Sequence, residues 1–261
     1  MTSLSPVSGL WRMPSVPQAI VLCGGAGLRL REVTPNVPKA LANVAGRPFL
    51  ELLLRQLRRH GFERVVLAVG YQQDLIRSHF GERAFGLELA YSRELSPLGT
   101  GGALRLAADL IELENTLVMN GDSYTDADLR EFARDHARSG ADASVLVAPA
   151  DGRSDCGFVG VGPNRKLERF EEKQRSMQRP YLNAGIYMIS RGLLYDIPAG
   201  VPVSLEQDLF PRWLDKGKRI QAFVCPSRCV DIGTPDRYQS AQDVLAKAEL
   251  EASASRTESQ L

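Results

Sequence analysis

Apolar and polar positions along the chain follow two rhythms. Short apolar runs, several without period-two alternation, recur at AIVLC (19–23), RVVLAVG (64–70), LELAYS (87–92) and TLVMNGD (116–122). Between them stand amphipathic segments with apolar residues at helical spacing: PFLELLLRQLRRHG (48–61), QQDLIRSHFG (72–81) and TGGALRLAADLIEL (100–113). Strands apolar on both faces need cover on both faces. The alternation therefore predicts an α/β fold, a Rossmann-like, doubly wound, mixed and mostly parallel sheet flanked by helices. In such sheets a ligand binds outside the carboxyl ends of the strands. From about residue 140 the strands crowd together, at ADASVLVAPA (141–150), GFVGV (157–161), KLERFEEK (166–173) and LNAGIYMIS (182–190). These are expected to extend the sheet and build a small second lobe. A helix over 204–217, a strand over 219–225 and a final helix from Pro235 complete the layout.

The same pattern sets the domain organisation. Residues 18–245 read as one domain with halves 18–140 and 141–245, between a Pro- and Gly-interrupted tail, 1–17, and a polar tail, 246–261. Met13 is a second candidate start. No run of about 18 apolar residues occurs, and residues 1–17 lack the continuous apolar stretch of a signal peptide, so a cytoplasmic chain without a membrane span is expected. Cys23, Cys156, Cys225 and Cys229 are scattered, and His60, His79 and His136 lie apart from them, which argues against a zinc site or disulfide framework. Lys and Arg number 32 against 31 Asp and Glu. A field so balanced does not recruit nucleic acid or an anionic membrane by bulk charge, and it leaves a homo-oligomer open. The cations are 26 arginines but only 6 lysines, so a lysine inside a conspicuous loop carries extra information.

That loop is LCGGAGLRLREVTPNVPKAL, Leu22 to Leu41. It begins where the first strand ends, and its glycines free backbone amides to face an anion. Position 30 is Leu, which breaks a dinucleotide G-x-G-x-x-G, and Leu28 and Arg29 follow Gly27 where a phosphate-binding Walker loop needs Gly-Lys-Ser/Thr. What remains is a glycine loop with Arg29, then Lys39 held behind Pro35 and Pro38. Arginine forks onto polyphosphate oxygens, whereas lysine is a point charge that can bridge two phosphates. Two cations beside one loop point to two phosphorylated ligands. Asp122, directly after the apolar run TLVM and a glycine, suits a hard oxygen-seeking cation such as Mg²⁺.

Gly24, Gly25, Ala26, Gly27, Leu28, Arg29 and Leu30, followed by Pro38, Lys39 and Ala40, resemble the G-G-x-G-[TS]-R-L and P-K-P signature of the sugar-1-phosphate nucleotidyltransferases. Leu28 and Ala40 depart from it without removing a charge or a glycine. The resemblance spans about residues 18 to 240 and implies further roles. Leu22, Gly24, Gly25, Gly27 and Arg29 would bind the nucleotide, with Arg29 and Lys39 as the catalytic cations. In RELSPLGTGGAL (93–104), Glu94 would face the base, with Gly99 and Thr100 beside it. Thr100 also reads as an N-cap of the following helix. Asp231 in CVDIGTPDRY would join Asp122 as metal ligand. Asn120, Glu172, Lys173, Asn183 of the N-x-G-x-Y segment, and Glu206 would bind the sugar phosphate in an acceptor-side lobe.

The implied reaction moves a nucleoside monophosphate from a nucleoside triphosphate to a sugar 1-phosphate and releases pyrophosphate, with Mg²⁺. Within the family, LREVTPNVPKAL, GRPFLE and SPLGTGGAL are most similar to the D-glycero-α-D-manno-heptose 1-phosphate guanylyltransferases, which use GTP. Mannose 1-phosphate guanylyltransferases, uridylyltransferases and thymidylyltransferases stay open as alternatives, as does a catalytically silent subunit that senses nucleotide-sugars.

Overall fold

The computed structural model describes residues 18–35, 37–150, 157–171, 181–226 and 229–258. The nucleotide-side half runs β1 (Gln18–Leu22), β2 (Asn43–Val44), β3 (Arg47–Pro48), α1 (Phe49–Arg59), β4 (Arg64–Val69), α2 (Gln73–Phe80), β5 (Arg83–Ala84), β6 (Leu87–Arg93), α3 (Gly99–Ala107), β7 (Asn115–Asn120), β8 (Ser123–Thr125) and α4 (Leu129–Ser139). The rest runs β9 (Ala143–Pro149), β10 (Phe158–Val161), β11 (Leu167–Glu171), β12 (Tyr181–Ser190), α5 (Arg191–Tyr195), α6 (Phe210–Asp215), β13 (Ile220–Val224), β14 (Cys229–Asp231) and α7 (Pro235–Glu258).

The apolar strands form the centre of a ten-stranded mixed sheet in the order β11-β10-β12-β7-β1-β4-β6-β5, with β9 and β13 branching from β12. Strands β6, β4, β1 and β7 are mutually parallel. The apolar runs of β4, β1 and β7 are buried between two cores, one on each side of the sheet. Alternate residues of β1 divide between them: Ala19 and Val21 pack with Leu50, Leu53 and Leu57 of α1, while Ile20 packs with Leu104 of α3 and with Trp213.

β12 joins the two halves. Its first residues pair with β10 and β9, and its last five pair with β7 and β9. Its pairing with β9 breaks between Asn183 and Tyr187, where Gly185 takes a φ of 72° in the left-handed region that favours glycine. A short antiparallel pair, β8 with β14, lies apart from the main sheet.

Two elements differ from expectation. The segment 204–217 is not one α-helix: a π-helical turn, Leu205–Leu209, leads into α6. Pro211 has no N–H to donate back into the preceding turn, so a regular α-helical ladder cannot run through it. The final helix continues through 246–258, a stretch assigned to the polar tail by composition. No helix among the described residues is long and apolar enough to cross a membrane.

Candidate active site

The carboxyl ends of the four parallel strands open into a cavity of about 930 Å³. Leu22 ends β1, Gly70 follows β4, Glu94 follows β6 and Asn120 ends β7, and all four line it. β1 is where the strand order reverses, with β4 on one side and β7 on the other, and Leu22 pairs opposite Asn120. Ligands of open α/β sheets bind at such a switch point.

The glycine loop forms one wall, with Gly24, Gly25, Gly27 and Arg29 all on the cavity. Gly27 has a φ of 58°, and a Cβ there would stand 3.0 Å from Lys39 Cβ. The loop is pinned from outside: Tyr71 N–H donates to the Gly24 carbonyl at 3.1 Å, and the Arg31 guanidinium lies 4.4 Å from the Tyr71 ring centre. Arg29 is exposed and makes no ion pair among the described residues.

Lys39 opens a short 3-10 turn directly behind Pro38, and its Nζ donates to Asp122 Oδ2 at 2.5 Å. Burial works against ionisation of Asp122. The Lys39 charge and hydrogen bond, with the Ser123 hydroxyl donating to Oδ1 at 3.0 Å, outweigh that and hold the carboxyl below the usual aspartate range.

Asp231 reaches the same place from the far end of the chain. β14 pairs Asp231 with Ser123, the neighbour of Asp122, and Ile232 N–H donates to the Asp122 carbonyl at 3.0 Å. Asp231 Oδ1 accepts from Gly233 N–H and from Arg237 Nη1, each at 2.9 Å. A Cβ built on Gly233 would lie 3.0 Å from Asp231 Oδ1 and 3.8 Å from Lys39 Nζ, so the two carboxylates and the lysine converge there. The donor set fits Mg²⁺: two hard carboxylates beside an open cavity, which leaves other positions to phosphate oxygens and water. Among the described residues, His, Cys, Asp and Glu form no cluster of three or more that would cage a metal unaided.

Glu94 faces the loop from β6. Its Oε2 accepts Leu98 N–H at 3.1 Å, and its Oε1 sits so close to the loop that a Cβ on Gly24 would meet it at 2.6 Å. Burial raises its carboxyl above the ordinary glutamate range, partly offset by the Leu98 amide. Leu95, beside it at the cavity mouth, is 97% exposed.

Thr100 lines the cavity but is not an N-cap; Leu98 holds that position in α3 and no side chain caps the helix. The amides of Gly101 and Gly102 are already bonded to the Val203 carbonyl, at 2.9 and 3.3 Å, which leaves the threonine nothing to cap there. Its hydroxyl instead donates to Glu206 Oε2 at 2.7 Å and accepts Leu205 N–H at 2.8 Å. Glu206 Oε1 accepts from the buried Tyr187 hydroxyl at 3.1 Å, and that hydroxyl accepts from Asn183 Nδ2 at 2.7 Å. Burial, and then the nearby Glu206 charge, push the Tyr187 phenol well above its usual range. Asn183 Oδ1 accepts Gly185 N–H at 3.0 Å, and a Cβ on Gly185 would stand 2.9 Å from Asn120 Nδ2. Asn120 Oδ1 is buried without a hydrogen-bond partner among the described residues.

Eleven of the residues expected at the site therefore share the cavity wall: Leu22, Gly24, Gly25, Gly27, Arg29, Lys39, Glu94, Gly99, Thr100, Asn120 and Asp122. Asp231, Asn183 and Glu206 stand behind that wall, connected to it through Gly233, Asn120 and Thr100 respectively. Glu172 and Lys173 lie outside the described residues. Sequence reasoning missed Tyr71, Gly233 and Arg237. Of these, only Gly233 and Arg237 had a signal, as near neighbours of Asp231 in VDIGTPDR.

The profile of the nucleotidyl transferase family matches residues 18–248. A D-glycero-alpha-D-manno-heptose 1-phosphate guanylyltransferase of Aneurinibacillus thermoaerophilus is 32% identical over 228 residues, covering 87% of this chain and 98% of that protein. A mannose-1-phosphate guanylyltransferase of Mycobacterium tuberculosis is 35% identical over 223 residues, covering 84% of this chain but only 62% of the relative's length. Among solved structures, HddC from Yersinia pseudotuberculosis complexed with GMP-PN superposes with a TM-score of 0.78 at 28% identity, covering 88% of this chain and all of that one. With the glycine loop, its two cations and the paired aspartates gathered at the switch point of the sheet, the match over nearly the whole chain means that this protein belongs to the nucleotidyl transferase family.

Proposed function

We propose that this chain transfers GMP from GTP to D-glycero-α-D-manno-heptose 1-phosphate, giving GDP-heptose and pyrophosphate for surface polysaccharide. The observation that carries the reading is the convergence of the glycine loop, Lys39 and Asp122 on one cavity with a carboxylate, Glu94, at its base-facing end. The near full-length match to a heptose 1-phosphate guanylyltransferase supports the choice of acceptor.

An oxygen of the acceptor phosphate attacks the α-phosphorus in line. The new P–O bond forms as the bond to the β-phosphate breaks, and pyrophosphate leaves with the electron pair. The attacking phosphate is already largely ionised at neutral pH, since its second pKa is about 6. No general base is then required. The histidines agree with this: none lines the cavity, and His136 is held between Ser144 and Asn115.

The protein contributes position and charge. Arg29, exposed and without an ion pair among the described residues, forks onto the triphosphate and the departing pyrophosphate. Lys39 bridges the attacking phosphate and the α-phosphate, exchanging its carboxylate partner for them. Glu94 accepts from the N1–H and amino group of guanine. Asp122 and Asp231 would hold Mg²⁺, which supplies Lewis-acid charge neutralisation when bound.

The test is pyrophosphate release measured for GTP, ATP, UTP, CTP and dTTP, each with a panel of sugar 1-phosphates. GTP with heptose 1-phosphate is expected to give the highest kcat/KM. A higher value for mannose 1-phosphate, or for UTP or dTTP, overturns the specificity and keeps the class. Silence on every pair overturns the enzyme and leaves a nucleotide-sugar-sensing subunit.

A further inference from the structure

We infer that Thr100, on the nucleotide side of the cavity, is a positioning residue for the acceptor: its hydroxyl fixes the Glu206 carboxylate, and through Glu206 it sets affinity for the sugar 1-phosphate. The inference rests on the proposed function and on the role the family resemblance implies for Glu206, binding the sugar phosphate.

The hydroxyl of Thr100 has one proton, and that proton is committed to Glu206 Oε2. One of its lone pairs accepts Leu205 N–H, so the group is engaged from both sides by the 205–206 turn. It has no second proton to offer a base or a phosphate. Glu206 is gripped by three hydroxyls: Thr100 and Ser204 on Oε2, and Tyr187 on Oε1. An ionised carboxylate offers roughly four lone-pair directions, so about one is left for an incoming hydroxyl donor such as a sugar provides.

The three donors come from different places. Ser204 belongs to the same turn, and it also accepts Gln207 N–H at 3.1 Å. Tyr187 comes from β12, locked by burial. Thr100 is the donor from the nucleotide-side half, in the first turn of α3, where the Gly101 and Gly102 amides are strapped to the Val203 carbonyl. A shift of that turn would act on the Glu206 carboxylate through the Thr100 hydroxyl and on its backbone through the Leu205 and Val203 bonds, so that occupancy of the nucleotide site would be felt at the acceptor site.

Steady-state kinetics with GTP and the best acceptor from the panel, together with thermal unfolding, tests this. Thr100→Val is expected to raise KM for the sugar 1-phosphate about tenfold while KM for GTP stays within about twofold, as befits a charge-assisted hydrogen bond acting on one substrate. Thr100→Ser restores the acceptor KM. Glu206→Gln raises it similarly, and the double variant Thr100→Val with Glu206→Gln is no worse than Glu206→Gln alone. A rise confined to KM for GTP makes Thr100 a nucleotide contact and overturns the proposal. Equal loss on both substrates with a lowered Tm makes its role structural and overturns it too. If Glu206→Gln acts on the acceptor and Thr100→Val does not, the positioning role alone fails. If Glu206→Gln leaves the acceptor KM unchanged, the reading of Glu206 itself fails.

Discussion

The two walls of the cavity are made of different material. Along the carboxyl end of β1 the wall is a glycine loop, whose shape is set by Gly27 and by the hydrogen bond from Tyr71 to the Gly24 carbonyl. Toward β12 the support is side chain: Asn183, Tyr187, Glu206 and Thr100 form a continuous run of hydrogen bonds, each group fixed by the next. Between the walls sits the Lys39–Asp122 pair. On the proposed reading, a glycine-lined wall would suit a polyphosphate, whose charge is the same whatever the base. A wall of oriented side chains can distinguish one arrangement of hydroxyls from another. The first is sensitive to sterics and the second to loss of single polar atoms.

The largest expected effect falls between the walls. Lys39→Ala and Asp122→Asn should each lower kcat at least about a hundredfold, because on the proposed reading each removes charge that acts on the transition state. Circular dichroism and thermal unfolding should show both variants folded, and near-wild-type turnover in either would break the assignment. Next comes the backbone wall. Gly27→Ala places a Cβ in the left-handed region, at about 1 kcal/mol, and against Lys39. It should raise KM for GTP about tenfold, more than KM for the acceptor, and the opposite split would invert the comparison.

The smallest effect concerns pH. Burial raises the Glu94 carboxyl, so on acidification it takes a proton before an ordinary glutamate does. Its loss as an acceptor should increase KM for GTP as pH falls through its folded pKa, with the acceptor KM spared. For folding the sign is opposite. A raised carboxyl pKa contributes stability that is full below the unfolded value and lost as pH rises through the folded one. Glu94→Gln should abolish the acid limb in KM for GTP, and persistence of that limb would show that another group governs it.

Much of this could be read from the chain, for identifiable reasons. The parallel core was legible because strands buried on both faces cannot hide their composition, and Arg29 and Lys39 were legible because the cations sit close to the glycines in sequence. Asp122 and Asp231 were different. Their proximity depends on the pairing of β8 with β14, three residues each, and no local pattern encodes a contact between segments 109 positions apart. Thr100 misled for a related reason. Threonine near a helix start favours a cap, but the competing partner, Val203, arrives from the other half of the chain and takes the amides first. The π-helical turn at Leu205–Leu209 was illegible in period and legible only in Pro211, whose missing donor disfavours a regular helix.

The exposure of Arg29, which has no ion pair among the described residues, has a kinetic consequence. Lys39 is neutralised by Asp122 at contact distance, so from outside the pair is a dipole whose field fades quickly. Arg29 stands exposed at the mouth with its charge uncompensated among the described residues. On the proposed reading, an approaching triphosphate would be drawn first by Arg29, over a range of about 8 Å at physiological ionic strength, and would meet the lysine only after arrival. Capture and chemistry would then fall to different cations. Added salt should slow the association rate while leaving the rate of the bound complex nearly untouched.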